Sequence, residues 1–225
     1  MSHNSTPLQQ ILDQSLLPLY YWPDVEVCLQ VLKALYHAGV RVVEFTNRGE
    51  KALENFRYLK AQSHQQFPGL FLGTGTIKSP EEAEAFLDAG ADFLVSPVVL
   101  PGVAAVAKTA GKIWIPGAMT PTEIVVAQQL GAPLIKIFPA NIVGPAFISS
   151  VRELFPGQRF IPTGGVERNK ENLTTWFKAG VSAVGLGSKL ITAHVLENGD
   201  YETLAQNTMV VLKTIQEVKA AVAAH

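Results

Sequence analysis

The chain has 225 residues, 48% of them hydrophobic and 16% charged, with 18 basic residues against 19 acidic and a formal net charge of −1. This balance supports a large buried core and excludes a disordered chain; with no basic block, it also excludes a nucleic-acid or anionic-membrane surface. A lone cysteine, Cys28, rules out an intramolecular disulfide and a cysteine-based zinc cluster.

At the N-terminus no charged region precedes an apolar core, and no apolar run approaches the length of a membrane span, so a cytoplasmic protein is expected. An amphipathic helix is predicted over about residues 7–15, followed by a first strand at Leu16–Tyr20. Pro23-Asp24 then signals a helix start, and Cys28, Val31, Leu32 and Leu35 fall on one face of a helix over 24–38. From here one pattern recurs: a helical stretch ends in glycine and a β-rich run follows. It appears at Gly39, Gly90, Gly111, Gly131 and Gly180, each predicted to take the left-handed conformation that closes a helix. Pro68-Gly69 and Pro156-Gly157 mark two further strand entries. Ser79-Pro80-Glu81-Glu82 and Thr120-Pro121-Thr122-Glu123 read as capped helix starts, the second with capping-box spacing. A final helix is predicted over about 200–223. Eight strands rich in Val, Ile, Leu and Phe on both faces, alternating with helices and uninterrupted by a linker, predict one (β/α)8 TIM barrel with an extra N-terminal helix, a single domain over 1–225.

Sites in such barrels lie at the C-terminal ends of strands. Lys136 stands out there, inside Leu134-Ile135-Lys136-Ile137-Phe138, where both faces are otherwise apolar. A buried, unpaired ammonium is costly, so a lysine in this setting is a candidate amine nucleophile. The alternative is a lysine that reaches solvent or pairs for structure. Lys78 and Lys189 are the other lysines near strand ends. Glu44, in Val42-Val43-Glu44-Phe45, is the second outlier. Alternation puts it on one face with Val42 and Thr46, and the second and sixth strands of a barrel share interior layers, so Glu44 and Lys136 face a common space. They form either a buried ion pair without chemistry or a nucleophile with a proton shuttle. Bringing a lysine from about 10.4 to about 7 takes ~4.6 kcal/mol, which a tight carboxylate contact would oppose. Glu44 is therefore expected to act through water or to be partly protonated, with Arg48 as a helping cation.

Thr163-Gly164-Gly165 and Gly187-Ser188 follow the last two strands, where barrels often hold phosphate; ordinary tight turns are the competing reading. Gly73-Thr74-Gly75-Thr76 is not a dinucleotide fingerprint, and Thr76 is placed to hold a carboxylate. The five histidines are scattered without metal-ligand spacing, so neither metal nor cofactor is expected.

Taken together, Glu44-Phe45-Thr46-Asn47-Arg48, Gly73-Thr74-Gly75-Thr76, Ser96-Pro97, Ile115-Pro116-Gly117, Lys136-Ile137-Phe138-Pro139-Ala140 and Pro162-Thr163-Gly164-Gly165 resemble the motifs of the 2-keto-3-deoxy-6-phosphogluconate / 4-hydroxy-2-oxoglutarate aldolase family, over about residues 16–190. The resemblance implies a class I carbon–carbon lyase with Lys136 as Schiff-base lysine and Glu44 as acid/base. It implies Arg48, Thr76 and Thr163 around the pyruvate moiety, with Phe138 and Pro97 beside them. It further implies phosphate on Gly164, Gly165, Gly187 and Ser188, and a homotrimer acting on a small 2-oxo acid. The implied reaction is cleavage of 2-dehydro-3-deoxy-6-phosphogluconate to pyruvate and glyceraldehyde 3-phosphate. Alternatives are 4-hydroxy-2-oxoglutarate or 2-dehydro-3-deoxy-6-phosphogalactonate as substrate, a phosphosugar epimerase, or a non-catalytic metabolite-binding barrel. Tyr20-Tyr21-Trp22, Leu186 and Asn141 depart from the family pattern at the aldehyde end, away from the lysine.

Overall fold

The computed structural model describes residues 5–224. The first half of the described chain runs α1 (Pro7–Gln14), β1 (Leu16–Tyr20), α2 (Val25–His37), β2 (Val42–Thr46), α3 (Ala52–Gln66), β3 (Phe71–Gly75), α4 (Pro80–Asp88), β4 (Phe93–Val95) and α5 (Pro101–Thr109). The second half runs β5 (Ile113–Ile115), β6 (Gly117–Ala118), α6 (Pro121–Gln129), β7 (Ile135–Ile137), α7 (Ala140–Val151), β8 (Phe160–Pro162), α8 (Lys170–Ala179), β9 (Val184–Leu186), α9 (Ala193–Asn198) and α10 (Tyr201–Ala223).

Helix boundaries follow from local chemistry. Asp24 accepts from the amides of Glu26 and Val27 to start α2, and Ser79 accepts from Glu82 to start α4. Thr120 and Glu123 form the full capping box of α6. Each such cap is worth about 1 kcal/mol. At the other ends, Gly39, Gly90, Gly111, Gly131 and Gly180 have φ between 64° and 103°, the conformation their positions in the sequence demand. Cys28, Val31, Leu32 and Leu35 form the buried face of α2.

All strand pairs are parallel. One sheet has the order β5-β4-β3-β2-β1-β9 and the other β6-β7-β8. The fifth strand predicted from sequence ends as expected at Pro116, which has no amide to donate to a ladder, and a further two-residue strand, β6, follows it in the other sheet. Gly117 follows because a Cβ there would overlap the carbonyl group of Pro97. A parallel bridge between Thr163 and Gly185 links the β8 margin of the smaller sheet to the β9 margin of the larger.

Two clusters make the core. The larger packs helices against strands. In the smaller, Leu17, Val42, Phe93, Val95, Ile115, Leu134, Ile161 and Ala183 join residues from both sheets, and Ile11 of α1 completes it. Each Leu, Ile or Val there contributes about 1.5–3 kcal/mol through burial. These residues alternate along the strands with the helix-facing ones. Glu44 and Lys136, each two positions beyond a cluster residue, stand just above.

Candidate active site

β2 is buried along its whole length, and its second inward position is Glu44, 1% exposed. β7 is equally buried, and its central residue is Lys136, 5% exposed. The Lys136 Nζ lies 3.6 Å from Glu44 Oε1. That separation is an ion pair longer than a hydrogen bond, which matches the expectation that the two do not clasp tightly. Among the described residues neither carboxylate oxygen of Glu44 has a hydrogen-bond partner, and the same is true of the buried hydroxyl of Thr46. Buried polar atoms left unpaired by the protein are rare and mark places where something else binds. Lys136 Nζ also sits 5.3 Å from the centre of the Phe138 ring, a cation–π distance. Lys78 and Lys189 are exposed, and Lys189 is held by Glu167 at 2.6 Å. Burial therefore sets Lys136 apart from its two competitors.

Space for the Glu44 head comes from β3. Glu44 pairs in register with Gly73 and Thr46 with Gly75, and a Cβ on Gly75 would overlap the Glu44 carboxylate. Nothing in the Gly-Thr-Gly-Thr sequence by itself assigns Gly75 this role. Its signal was a glycine across from a buried acid, legible only once the register is known. The next residue, Thr76, has φ 63°, a left-handed conformation that is an outlier for a β-branched side chain and stores about 1–3 kcal/mol of strain.

A cavity of about 110 Å³ gathers most of the remaining sequence-predicted residues: Arg48, Phe138, Thr163, Gly164, Gly165, Gly187 and Ser188. Lys189 lines it too, giving two cations and no carboxylate on its wall. Gly164 and Gly165 have φ of 92° and 75°, and a Cβ on Gly165 would strike Asn141. The loop is tied down by its own backbone. Thr163 donates its amide to Ile137 at 3.0 Å, its carbonyl accepts from Ala140 at 2.9 Å, and the Gly164 carbonyl accepts from Asn141 at 2.9 Å. Pro97 lines an adjoining cavity of about 260 Å³ with Val98, Gly117 and Met119, and Phe138 belongs to both. Thr76 borders neither cavity. Ser96 is occupied structurally, its hydroxyl accepting from the Trp114 indole at 2.9 Å.

A larger cavity, about 320 Å³, lies by Lys108, Lys112 and Ile113 at the start of β5, and no acid on its wall can serve those lysines as a proton shuttle. Among the described residues no group of three His, Cys, Asp or Glu is placed to hold a metal ion, and no helix is long and apolar enough to cross a membrane.

A buried lysine beside a carboxylate, next to a glycine-walled cationic nook, is the equipment of an imine-forming lyase. The family model for KDPG and KHG aldolase matches residues 9–207. The chain belongs to that family. It is thus an enzyme of the carbon–carbon lyase kind. The 2-dehydro-3-deoxy-phosphogluconate aldolase of Dickeya dadantii is 32% identical over 206 residues, 91% of this chain and 94% of that one. A probable 2-dehydro-3-deoxy-6-phosphogalactonate aldolase of Rhizobium meliloti is 33% identical over 161 residues, 71% of this chain and 74% of that one. Among solved structures, a 4-hydroxy-2-oxoglutarate / 2-dehydro-3-deoxyphosphogluconate aldolase superposes with a TM-score of 0.80 at 37% identity, covering 94% of this chain and all of the other.

Proposed function

We propose that this aldolase works through a Schiff base on Lys136 and cleaves 2-dehydro-3-deoxy-6-phosphogluconate to pyruvate and glyceraldehyde 3-phosphate. The observation that carries the reading is a nearly fully buried Lys136 Nζ at 3.6 Å from an otherwise unpartnered Glu44 carboxylate. The neutral amine attacks the C2 carbonyl, and the carbinolamine loses water to give an iminium. Glu44, through a water, takes the proton of the C4 hydroxyl. The C3–C4 bond breaks, its electron pair flows into the iminium, and the aldehyde leaves. The enamine is protonated at C3, and hydrolysis releases pyruvate and the free amine. The iminium supplies the electrophile, so the cycle requires no metal or organic cofactor.

In this reading Arg48, Thr76 and Thr163 hold the carboxylate of the pyruvate portion, with Phe138 and Pro97 flanking it. Gly164, Gly165, Gly187 and Ser188 hold the phosphate with backbone amides. Shared lining of one cavity by Arg48, Thr163 and the four loop residues supports the assignment. We further propose that the eight βα units, with β5 and β6 counted as one strand, close into a single (β/α)8 barrel domain over 1–225. The Thr163–Gly185 bridge and the cluster joining both sheets support closure. A homotrimer is proposed as well, for which the exposed apolar side chains of Val98, Met119 and Val125 offer an interface. Cytoplasmic location remains the expectation set by the sequence. A second substrate, the C4-epimeric phosphogalactonate, is favoured by the Rhizobium meliloti relative.

The deciding experiment is incubation with pyruvate and borohydride. One pyruvate-derived unit per chain is expected, mapped to Lys136, and Lys136→Met abolishes both label and cleavage. Labelling at Lys78 or Lys189 overturns the assignment.

A further inference from the structure

Thr46 stands beside Glu44 and has no role in the scheme above. Residues 44 and 46 share a face of β2, with their α-carbons separated by about 6.6 Å along the strand. The Glu44 side chain closes most of that gap by leaning toward the strand's end. Its Oε1 occupies the space a Cβ of Gly75 would need, and Gly75 is the register partner of Thr46, roughly 4.8 Å across the ladder. The carboxylate head therefore lies at the level of the Thr46 side chain, not of its own Cα. Lys136 Nζ approaches the same Oε1 at 3.6 Å. Ammonium and carboxylate thus meet over Gly75, at the level of the ladder where Thr46 stands.

The hydroxyl itself is unusual. Thr46 is 1% exposed, and its Oγ1 makes no hydrogen bond among the described residues. Thr74, the register partner of Phe45 on the next strand, shows what a structural threonine does here: it donates to the Phe45 carbonyl at 3.1 Å. A buried hydroxyl without a partner costs about 1–3 kcal/mol, and so do the two unpaired oxygens of Glu44. The carboxylate and the hydroxyl do not bond to each other, so a water between residues 44 and 46 is what would satisfy them together.

We propose that Thr46 is a positioning residue whose hydroxyl, with the Glu44 carboxylate, holds the water that carries protons between Glu44 and the substrate. The inference rests on the Schiff-base reading and deepens it. The hydroxyl fixes the water's orientation, and Glu44 remains the group that gains and loses the proton. Without the hydroxyl, the water is retained by the carboxylate alone and points toward the reacting carbon for a smaller fraction of the time.

The test is Thr46→Val, nearly isosteric and lacking only the hydroxyl, with Thr46→Ser as the variant that restores it. For Thr46→Val, kcat for cleavage and the exchange of pyruvate methyl protons in heavy water are expected to fall about 10- to 100-fold, the worth of one hydrogen bond in a charged network. KM is expected to stay within threefold, borohydride trapping at Lys136 to persist, and thermal stability to hold, because the hydroxyl makes no hydrogen bond to the rest of the described protein. Thr46→Ser is expected to recover most of the exchange rate. Exchange within twofold of wild type in Thr46→Val overturns the proposal. So does a raised KM at unchanged kcat, which makes the hydroxyl a ground-state substrate ligand, and so does a Thr46→Ser enzyme as slow as Thr46→Val. Failure of wild type to be trapped at Lys136 defeats the Schiff-base reading itself and is recognised without any Thr46 variant.

Discussion

Gly75→Ala separates the architecture of the site from its chemistry with one methyl group. Gly75 has no left-handed backbone to defend, so the substitution acts through space alone. The new Cβ would overlap Glu44 Oε1 and stand 2.5 Å from Cδ and 2.8 Å from Cγ. Carbon pairs settle near 3.5 Å or more, so the carboxylate must retreat by about 1 Å. A flexible acid head yields more easily than backbone, and the fold should survive at a cost of about 1–3 kcal/mol. The site should not. Misplacing a reacting group by about 1 Å costs roughly 10²-fold in rate. Methyl-proton exchange of pyruvate in heavy water, followed by NMR on protein shown to be folded by circular dichroism, is expected to drop by about that factor, while trapping at Lys136 persists. Exchange within threefold of wild type would show that the carboxylate position is not what the reaction depends on, and the role of Gly75 argued above would be wrong.

Two further outcomes follow from the same geometry. Glu44→Gln keeps shape and loses the proton acceptor, so cleavage and exchange should fall by about 10²–10⁴-fold with trapping retained; a loss of thermal stability with near-normal exchange would reduce Glu44 to a structural counter-ion. Burial pushes the Cys28 thiol up to about 12, and its Sγ–H donates to the Trp22 carbonyl at 3.1 Å. At pH 8 Cys28 therefore stays protonated and should resist iodoacetamide in the folded protein and react fully in denaturant; mass spectra showing free-thiol rates in the native state would contradict the packing of α2.

Much of the fold was legible because its signals are local. A glycine that must be left-handed, a threonine three residues before a glutamate, or an apolar stripe at helical spacing depends on neighbours in sequence, and each was found where expected. The stop of the fifth strand at Pro116-Gly117 was legible, because proline breaks a ladder; the two-residue β6 after it was not, because nothing in so short a run marks a strand. Lys136 and Glu44 were legible as charges in apolar strands. Gly75 and Thr46 were not, because their meaning lies in lateral register: which residue stands beside which across a ladder is set by the whole sheet. Thr76 was assigned a carboxylate by motif, yet it borders neither cavity, and its strained backbone is invisible in any residue pattern.

The ties between the loop at Thr163-Gly164 and the start of α7 have a consequence for selectivity. Lys136 and Asn141 are five residues apart on one continuous segment, and that segment is bonded to the glycine loop at Ile137, Ala140 and Asn141. In the proposed function, the reactive nitrogen and the anion nook are consequently two marks on one rigid gauge. An acid whose carbonyl carbon and terminal anion are spaced to match reaches both; one a carbon shorter or longer must give up one to keep the other. On that proposal chain length is measured by the backbone, leaving side chains beside the loop, such as Asn141, free to vary in what they ask of the carbons in between.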